Sequence, residues 1–108
     1  MNFSLNIICK NEIAKEKEAQ AEAMLSSLGI PVKAKFEPYW KDARLSQLCF
    51  GTELNTPDFN LIKEHLSKIA GAEVSLSVSL DEWEFSRYAP IDELVREKSA
   101  TFLVCEVY

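Results

Sequence analysis

The stretch TPDFNLIKEHLSKIAGAEVSLSVSL, residues 56–80, decides the fold class. It opens with Thr-Pro-Asp, which combines a helix-capping residue, a proline at the first helical position and an acid near the positive end of the helix dipole. Apolar residues then recur at helical spacing up to Gly71, so the sequence predicts a helix that ends there. From Glu73 to Leu80 polar and apolar residues alternate, which predicts a strand. The side chains of this strand expected in the core are Val74, Leu76 and Val78.

The chain before this stretch begins with a predicted strand and a helix. Residues 1–10 alternate apolar and polar side chains, as in a half-buried strand. Asn11 can cap a helix that continues to Leu28. The helix is expected to end at Gly29 and Pro31, because glycine readily adopts the left-handed conformation that is common after a helix.

Two further strands are predicted at 32–40 and 45–54. Pro38 has no backbone N–H to donate to a ladder, so the first of them lies at a sheet edge or ends there. Residues 45–54 have mixed faces.

The C-terminal third predicts a strand, a short helix and a last strand. The strand covers 83–88, Pro90 opens the helix, and the last strand covers 100–108. Because this last strand is apolar on both faces, we expect it to be central in the sheet.

The predicted element order is therefore β-α-β-β-α-β followed by β-α-β. The first six elements match a ferredoxin-like core, in which two helices pack on one face of an antiparallel or mixed sheet. The last three elements would extend that sheet. With 108 residues and 47% apolar residues, the chain is expected to form a single α+β domain over 1–108.

The cysteines and the N-terminus predict a cytoplasmic protein. Cys9, Cys49 and Cys105 are far apart and each lies in a strand-like stretch, so we expect reduced cysteines that pack as small apolar residues. The first residues lack the basic and apolar regions of a signal peptide. No window approaches the roughly 18 apolar residues of a membrane span, so no membrane association is expected.

The sequence offers no recognisable catalytic, cofactor or metal site. The single histidine, His65, lies at the border of an apolar stripe, and Ser67 is two positions away, too close along the helix to face it. One histidine with dispersed cysteines does not make a transition-metal site, and there is no Asp-rich calcium loop. All three glycines stand alone, so there is no phosphate-binding loop. We therefore expect neither an enzyme nor a cofactor.

The negative charge is concentrated in the second half of the chain. Residues 1–52 hold seven Lys/Arg and six Asp/Glu, a net charge of +1, whereas residues 53–108 hold five and eleven, a net charge of −6. The two halves sum to the net charge of −5. Nucleic acid is a poor partner for such a chain, because binding phosphates needs a basic stripe.

The stretch DEWEFSRYAPIDE, residues 81–93, combines acids with aromatic residues. Two interpretations stay open. In the first, the aromatic side chains lie on the inner face of a strand and the acids are simply solvated. In the second, the stretch is a recognition surface, with aromatic anchors and acids that steer a basic partner. The candidate partner-binding residues are Asp81, Glu82, Trp83, Glu84, Tyr88, Asp92 and Glu93.

In overall character the chain resembles the immunity proteins of bacterial contact-dependent growth inhibition and related polymorphic toxin systems. It is small, acidic and α+β, and the stretch DEWEFSRY at 81–88 suits such a protein. The resemblance implies a stoichiometric inhibitor that covers the active site of a basic toxin, often a nuclease, with acidic and aromatic side chains.

An alternative from another class is a ferredoxin-like homodimer that binds a small ligand or acts as a small enzyme. Tyr39 and Trp40, together with the apolar last strand, could line a pocket between two subunits. No acid–base pair accompanies these aromatic residues, so a monomeric protein-binding inhibitor is favoured.

Overall fold

The computed structural model describes residues 1–30 and 32–108, which form a six-stranded antiparallel sheet with three helices. Pro31, predicted as part of a helix stop, lies outside the described residues. The predicted α+β class is confirmed. The elements are β1 (Asn2–Lys10), a 3₁₀ turn (Asn11–Ile13), α1 (Ala14–Ser27), β2 (Lys35–Pro38), β3 (Leu45–Glu53), α2 (Phe59–Ala70), β4 (Ser75–Ser79), β5 (Glu82–Arg87), α3 (Ile91–Arg96) and β6 (Phe102–Val107).

The strand order is β2-β3-β1-β6-β5-β4, so β1 and β6 are central and β2 and β4 are the edges. This order confirms the central place predicted for the last strand. Pro38 predicted a strand that lies at an edge or ends there, and β2 does both. The ferredoxin-like core with a C-terminal extension is not confirmed, because β6 rather than β4 pairs with β1. β6 is apolar on both faces and occupies a covered position, whereas β4, with serines on one face, lies at the far edge.

The main core lies between one face of the sheet and the helices α1 and α2, as predicted for the two main helices. The side chains that meet there include Leu5 and Ile7 from β1, Met24 and Leu25 from α1, and Ile62 and Leu66 from α2. α3 covers only one end of the opposite face, where Leu94 packs with Ile8 and Leu45. We call the remainder of that face the open face; it includes Ser4, Asn6, Ser75, Ser77, Glu82, Glu84, Val104 and Glu106.

Both ends of α2 lie close to where the sequence predicts them, but the residue that caps its start differs from the predicted one. Asp58 rather than Thr56 caps the helix, because its carboxylate accepts a hydrogen bond from the N–H of Leu61 at 3.1 Å. Gly71 ends α2 with a left-handed φ of 69°, as predicted.

Two polar side chains tie α1 and the segment before it to the rest of the fold. Asn11 does not cap a helix; its amide donates to the carbonyl of Ala43 at 2.9 Å, and its oxygen accepts from the Ser46 hydroxyl. The buried ammonium of Lys17 donates to the carbonyl of Ile69, at the negative end of the α2 dipole.

The core prediction for the strand at 73–80, of which the structure forms β4, is only partly right. Val74 is buried, but the side chains of Leu76 and Val78 are 40% and 55% exposed, so the expectation that they belong to the core is wrong. The helical layer ends over β5, where Phe59 of α2 stacks on Trp83 with ring centroids 3.9 Å apart. β4 lies one strand further out, and its apolar face is left without a helix above it.

Candidate protein-binding surface

Three glutamates share the open face where β5 and β6 lie side by side. Glu84 is directly opposite Glu106 in the antiparallel register. Glu82 lies two residues before Glu84 in β5 and so on the same face. The Cβ atoms of directly opposite residues are about 4.5–5.5 Å apart. We call Glu82, Glu84 and Glu106 the acidic cluster.

The acidic cluster is electrostatically unbalanced. Like charges directly opposite each other on neighbouring strands destabilise a sheet. Glu84 and Glu106 are half-buried, so water screens their repulsion only in part. Within 1–30 and 32–108, the ion pairs involve Asp42, Glu64, Glu73 and Glu97, and none involves a member of the cluster.

Two exposed tyrosines flank the acidic cluster. The hydroxyl of Tyr88 donates to Oε1 of Glu84 at 3.0 Å, and its ring tilts against Phe102 with centroids 5.1 Å apart. Tyr108 is two residues beyond Glu106 and on the same face. The carboxylates are thus framed by aromatic rings that have both an apolar body and a polar tip.

The structure brings together only some of the predicted site residues. Glu82, Glu84 and Tyr88 share the open face, and Asp81 is exposed in the β4–β5 turn. Trp83 lies on the opposite face of the sheet, half-buried against α2. Its ring contributes to packing there and does not join the acidic cluster.

Asp92 and Glu93 belong to a separate region on α3. Asp92 is exposed, and Glu93 lines an open cleft of about 350 Å³ together with Arg87, Arg96 and Glu97. Because this cleft carries two arginines beside its two glutamates, its charge is balanced. The predicted set therefore divides into three parts: the acids and Tyr88 on or next to the open face, Trp83 on the opposite face, and Asp92 and Glu93 on α3.

Glu106 and Tyr108 are the site residues that the sequence analysis missed. The available signal was a glutamate inside an otherwise apolar strand that was expected to be central. A charge at such a position calls for an explanation. The sequence does not reveal that Glu84 lies opposite it, because strand register depends on the tertiary fold.

An exposed apolar strip lies on the other face of the same sheet edge. Leu76 and Val78 are opposite Phe85 and Trp83 in the β4–β5 register. Leu80 follows in the turn with its side chain 99% exposed. We call Leu76, Val78 and Leu80 the apolar strip.

The β4–β5 turn holds its two residues in an unfavourable backbone conformation. Leu80 and Asp81 have φ values of 43° and 70°. Two-residue hairpin turns of this kind favour asparagine and glycine, and a left-handed conformation costs a residue such as leucine roughly 1–2 kcal/mol. Leu80 is therefore an exposed apolar side chain in a conformation that costs folding energy.

The second aromatic pair lies at the other end of the sheet. Tyr39 and Trp40 follow β2, and their ring centroids are 6.2 Å apart. Tyr39 packs with the α3 cluster, whereas Trp40 is exposed beneath the ammonium of Lys41 at 5.0 Å. The pair does not join the acidic cluster.

The histidine and the cysteines lie apart from this surface. His65 is half-buried, with Nε2 3.4 Å from the Ser27 hydroxyl. All three cysteines are free, and burial raises the pKa of the Cys9 thiol to about 11 and raises the pKa of Cys105 as well. The pKa of the Cys49 thiol is also raised, mainly by partial burial and to a smaller extent by the nearby negative charge of Glu37.

In the part of the chain that the structure describes, no group of three or more His, Cys, Asp or Glu is placed to hold a metal ion. No helix among the described residues is long and apolar enough to cross a membrane.

Comparison with known proteins gives no match: no family model, no curated protein and no solved structure matches this chain. The functional inference therefore rests on the geometry of the surface itself.

Proposed function

We propose that the protein is a stoichiometric inhibitor that binds a basic protein through the acidic cluster and the tyrosines beside it. The observation that carries the proposal is the half-buried pair Glu84–Glu106, which lies directly opposed on the open face, the part of that side of the sheet that α3 leaves uncovered. A lysine or arginine from a partner would turn this repulsion into attraction. Close charge pairs at interfaces can couple by about 1.5–7 kcal/mol.

The surroundings of the cluster favour a protein over a smaller ligand. Exposed tyrosines are typical anchors of protein interfaces. The apolar strip at the same edge of the sheet adds a second contact area with a different chemistry. A basic protein surface can engage both, whereas a lone cation would use only the carboxylates.

The most concrete form of the proposal is an immunity protein that neutralises a basic toxin, with a nuclease as the leading candidate. A nuclease binds phosphates through Lys and Arg, so the carboxylates of the acidic cluster would take the place of phosphates at its substrate site. In this form the protein acts as a monomer in the cytoplasm of a bacterium, as its resemblance to immunity proteins implies.

The test uses the product of the adjoining toxin gene, which we expect immediately upstream. Its basic toxin domain should form a 1:1 complex with this protein and lose activity in it. Association should slow steeply as salt is raised, because screening shortens the range of the steering field to about 8 Å at physiological ionic strength. An association rate that does not change with salt would contradict the electrostatic part of the proposal.

A matched variant isolates the opposed pair. Glu84→Gln with Glu106→Gln removes two charges, keeps the side-chain shape and leaves an amide oxygen that can accept from Tyr88. We expect slower association with an unchanged fold. Binding and inhibition equal to those of the wild type would contradict the proposal.

A further inference from the structure

The β4 edge presents free backbone groups to an incoming strand. Ser79 and Glu82 are paired on either side of the two-residue turn, and backbone hydrogen bonds between the two flanking residues close a turn of this length. Bonded pairs alternate along an antiparallel ladder, so the serines of β4 bond to β5. The N–H and C=O groups of Leu76 and Val78 consequently point away from the sheet. An open row of this kind is a template for another strand.

The side chains on the two faces of β4 specify what such a strand should carry. One face of β4 lies on the side of the sheet that α1 and α2 cover further in. On that face the apolar strip would contact apolar side chains of the incoming strand. On the open face β4 has only serines, and Ser77 and Ser79 lie directly in front of Glu84 and Glu82. Because serines are small, a lysine or arginine can extend across them to the carboxylates, two strand spacings or about 10 Å away.

The charge around this edge disfavours a second copy of the chain as the occupant. Residues 73–84 hold four acids, Glu73, Asp81, Glu82 and Glu84, and no Lys or Arg. Within the described residues Glu73 alone of these four is ion-paired, with Lys63 at 3.6 Å, so pairing two β4 strands would bring two sets of unpaired acids to one edge. Like charges opposite each other destabilise such a pair, so charge complementarity favours a basic strand.

We propose that the basic partner adds an extended segment, alternating apolar and basic residues, to β4 as a seventh strand of the sheet. This inference rests on the proposed function and specifies how the partner is held. Backbone hydrogen bonds at Leu76 and Val78 provide affinity, and the alternation of the segment provides specificity. Leu80 extends the apolar contact beyond the end of β4.

The probe is a synthetic peptide in which lysine and valine alternate, long enough to span the five residues of β4. The control peptide has the same composition, with all lysines placed before all valines. We expect the alternating peptide to bind more tightly, and we expect the amides of Leu76 and Val78 to become protected from hydrogen exchange when it binds. Equal binding of the two peptides, or protection elsewhere, would overturn the proposal.

The matched variants are Val78→Pro and Val78→Ala. Both remove the branched valine side chain, but only proline also removes the outward N–H, and an edge strand tolerates proline at such a position. We expect Val78→Pro to bind the alternating peptide about tenfold more weakly than Val78→Ala. If Val78→Pro does not fold, hydrogen exchange of the wild-type protein with the alternating peptide still shows whether the peptide pairs with β4.

The outcomes separate strand addition from the proposed function. If Val78→Pro binds the basic toxin domain as Val78→Ala does while Glu84→Gln with Glu106→Gln loses it, strand addition is wrong and the proposed function stands. If the glutamine variant also binds normally, both proposals are wrong. Sedimentation of the protein alone tests the other occupant, since a dimer whose Leu76 and Val78 amides are protected would show that a second copy fills the edge.

Discussion

The two edges of the sheet are built in opposite ways. β2 is four residues long and reads Lys-Phe-Glu-Pro, with two charges and a proline. β4 is five residues long and reads Ser-Leu-Ser-Val-Ser, with neither. Charge, proline and short length are the usual means by which proteins keep sheet edges from pairing. The protein therefore has a protected edge and an unprotected one, and the unprotected edge is beside the acidic cluster.

The difference lies in the backbone and the charges rather than in the exposure of apolar side chains. Phe36 on β2 is 52% exposed and Val78 on β4 is 55% exposed. Phe36 has Lys35 and Glu37 as neighbours, whereas Val78 has two serines. Scattered exposed apolar residues are ordinary on protein surfaces. An apolar residue on a strand with open hydrogen-bonding groups is the more informative observation.

The largest expected effect on stability distinguishes the buried strand β5 from the exposed edge strand β4. Phe85 and Leu76 are opposite each other across β4 and β5, but Phe85 is fully buried. Phe85→Ala should lower the free energy of unfolding by about 3–5 kcal/mol through lost burial and a cavity. Leu76→Ala should cost about 1 kcal/mol or less, because much of its side chain is already in water. Equal losses in urea denaturation would show that β4 is part of the core.

This pair also marks how far the sequence predicts the fold. The helical period, the left-handed Gly71 and the proline at the end of β2 predict α2 and one edge correctly, because these signals act locally. The alternation in β4 correctly identifies which side chains share a face. It does not tell whether a helix lies above that face, since the path of α2 to the far edge is a property of the whole chain. For the same reason Glu106 could not be joined to Glu84.

The next effect concerns the strained turn at the end of the open edge. Leu80→Gly relieves the left-handed conformation and should raise the free energy of unfolding by about 1 kcal/mol, after allowance for the greater freedom of glycine in the unfolded chain. Leu80→Ala removes the side chain but keeps the strain, so its stability should stay close to that of the wild type. Both variants should bind the alternating peptide more weakly. A Leu80→Gly protein that melts lower than the wild type would contradict this interpretation of the turn.

The smallest effect concerns the loop that leads away from the protected edge. Asp42 accepts hydrogen bonds from the Arg44 guanidinium at 3.0 and 2.8 Å and from its backbone N–H at 2.9 Å. These bonds hold the pKa of Asp42 at about 2, below its ordinary value of 3.8. The ionised carboxylate therefore stabilises the fold above pH 3.8, and this contribution is lost as the pH falls through about 2. An NMR titration of the Asp42 carboxyl should show the low midpoint, and Arg44→Ala should return it towards 3.8.

The central claim is that a basic protein is recognised by the acids beside the open edge rather than by net charge alone. The decisive measurement is the association rate with the basic toxin domain for two double variants that change the charge equally. Glu82→Lys with Glu84→Lys reverses two acids of the acidic cluster. Glu12→Lys with Glu16→Lys reverses two exposed acids near the start of α1. They follow the C-terminal end of β1, whereas Glu106 pairs with Ser4 near the opposite end of that strand.

We expect the second variant to keep the wild-type melting temperature closely, because exposed charges usually alter stability by about 0.5 kcal/mol or less. Because Glu84 is half-buried, thermal melting of the first variant is measured on the same preparation, and binding is compared at a temperature at which both variants are folded. The first variant should bind the toxin domain at least about tenfold more weakly, mainly through slower association. The second variant should lose far less affinity. Equal loss in both variants would mean that only net charge matters. Wild-type binding by the first variant would mean that the acidic cluster is a solvated surface and that the account is wrong.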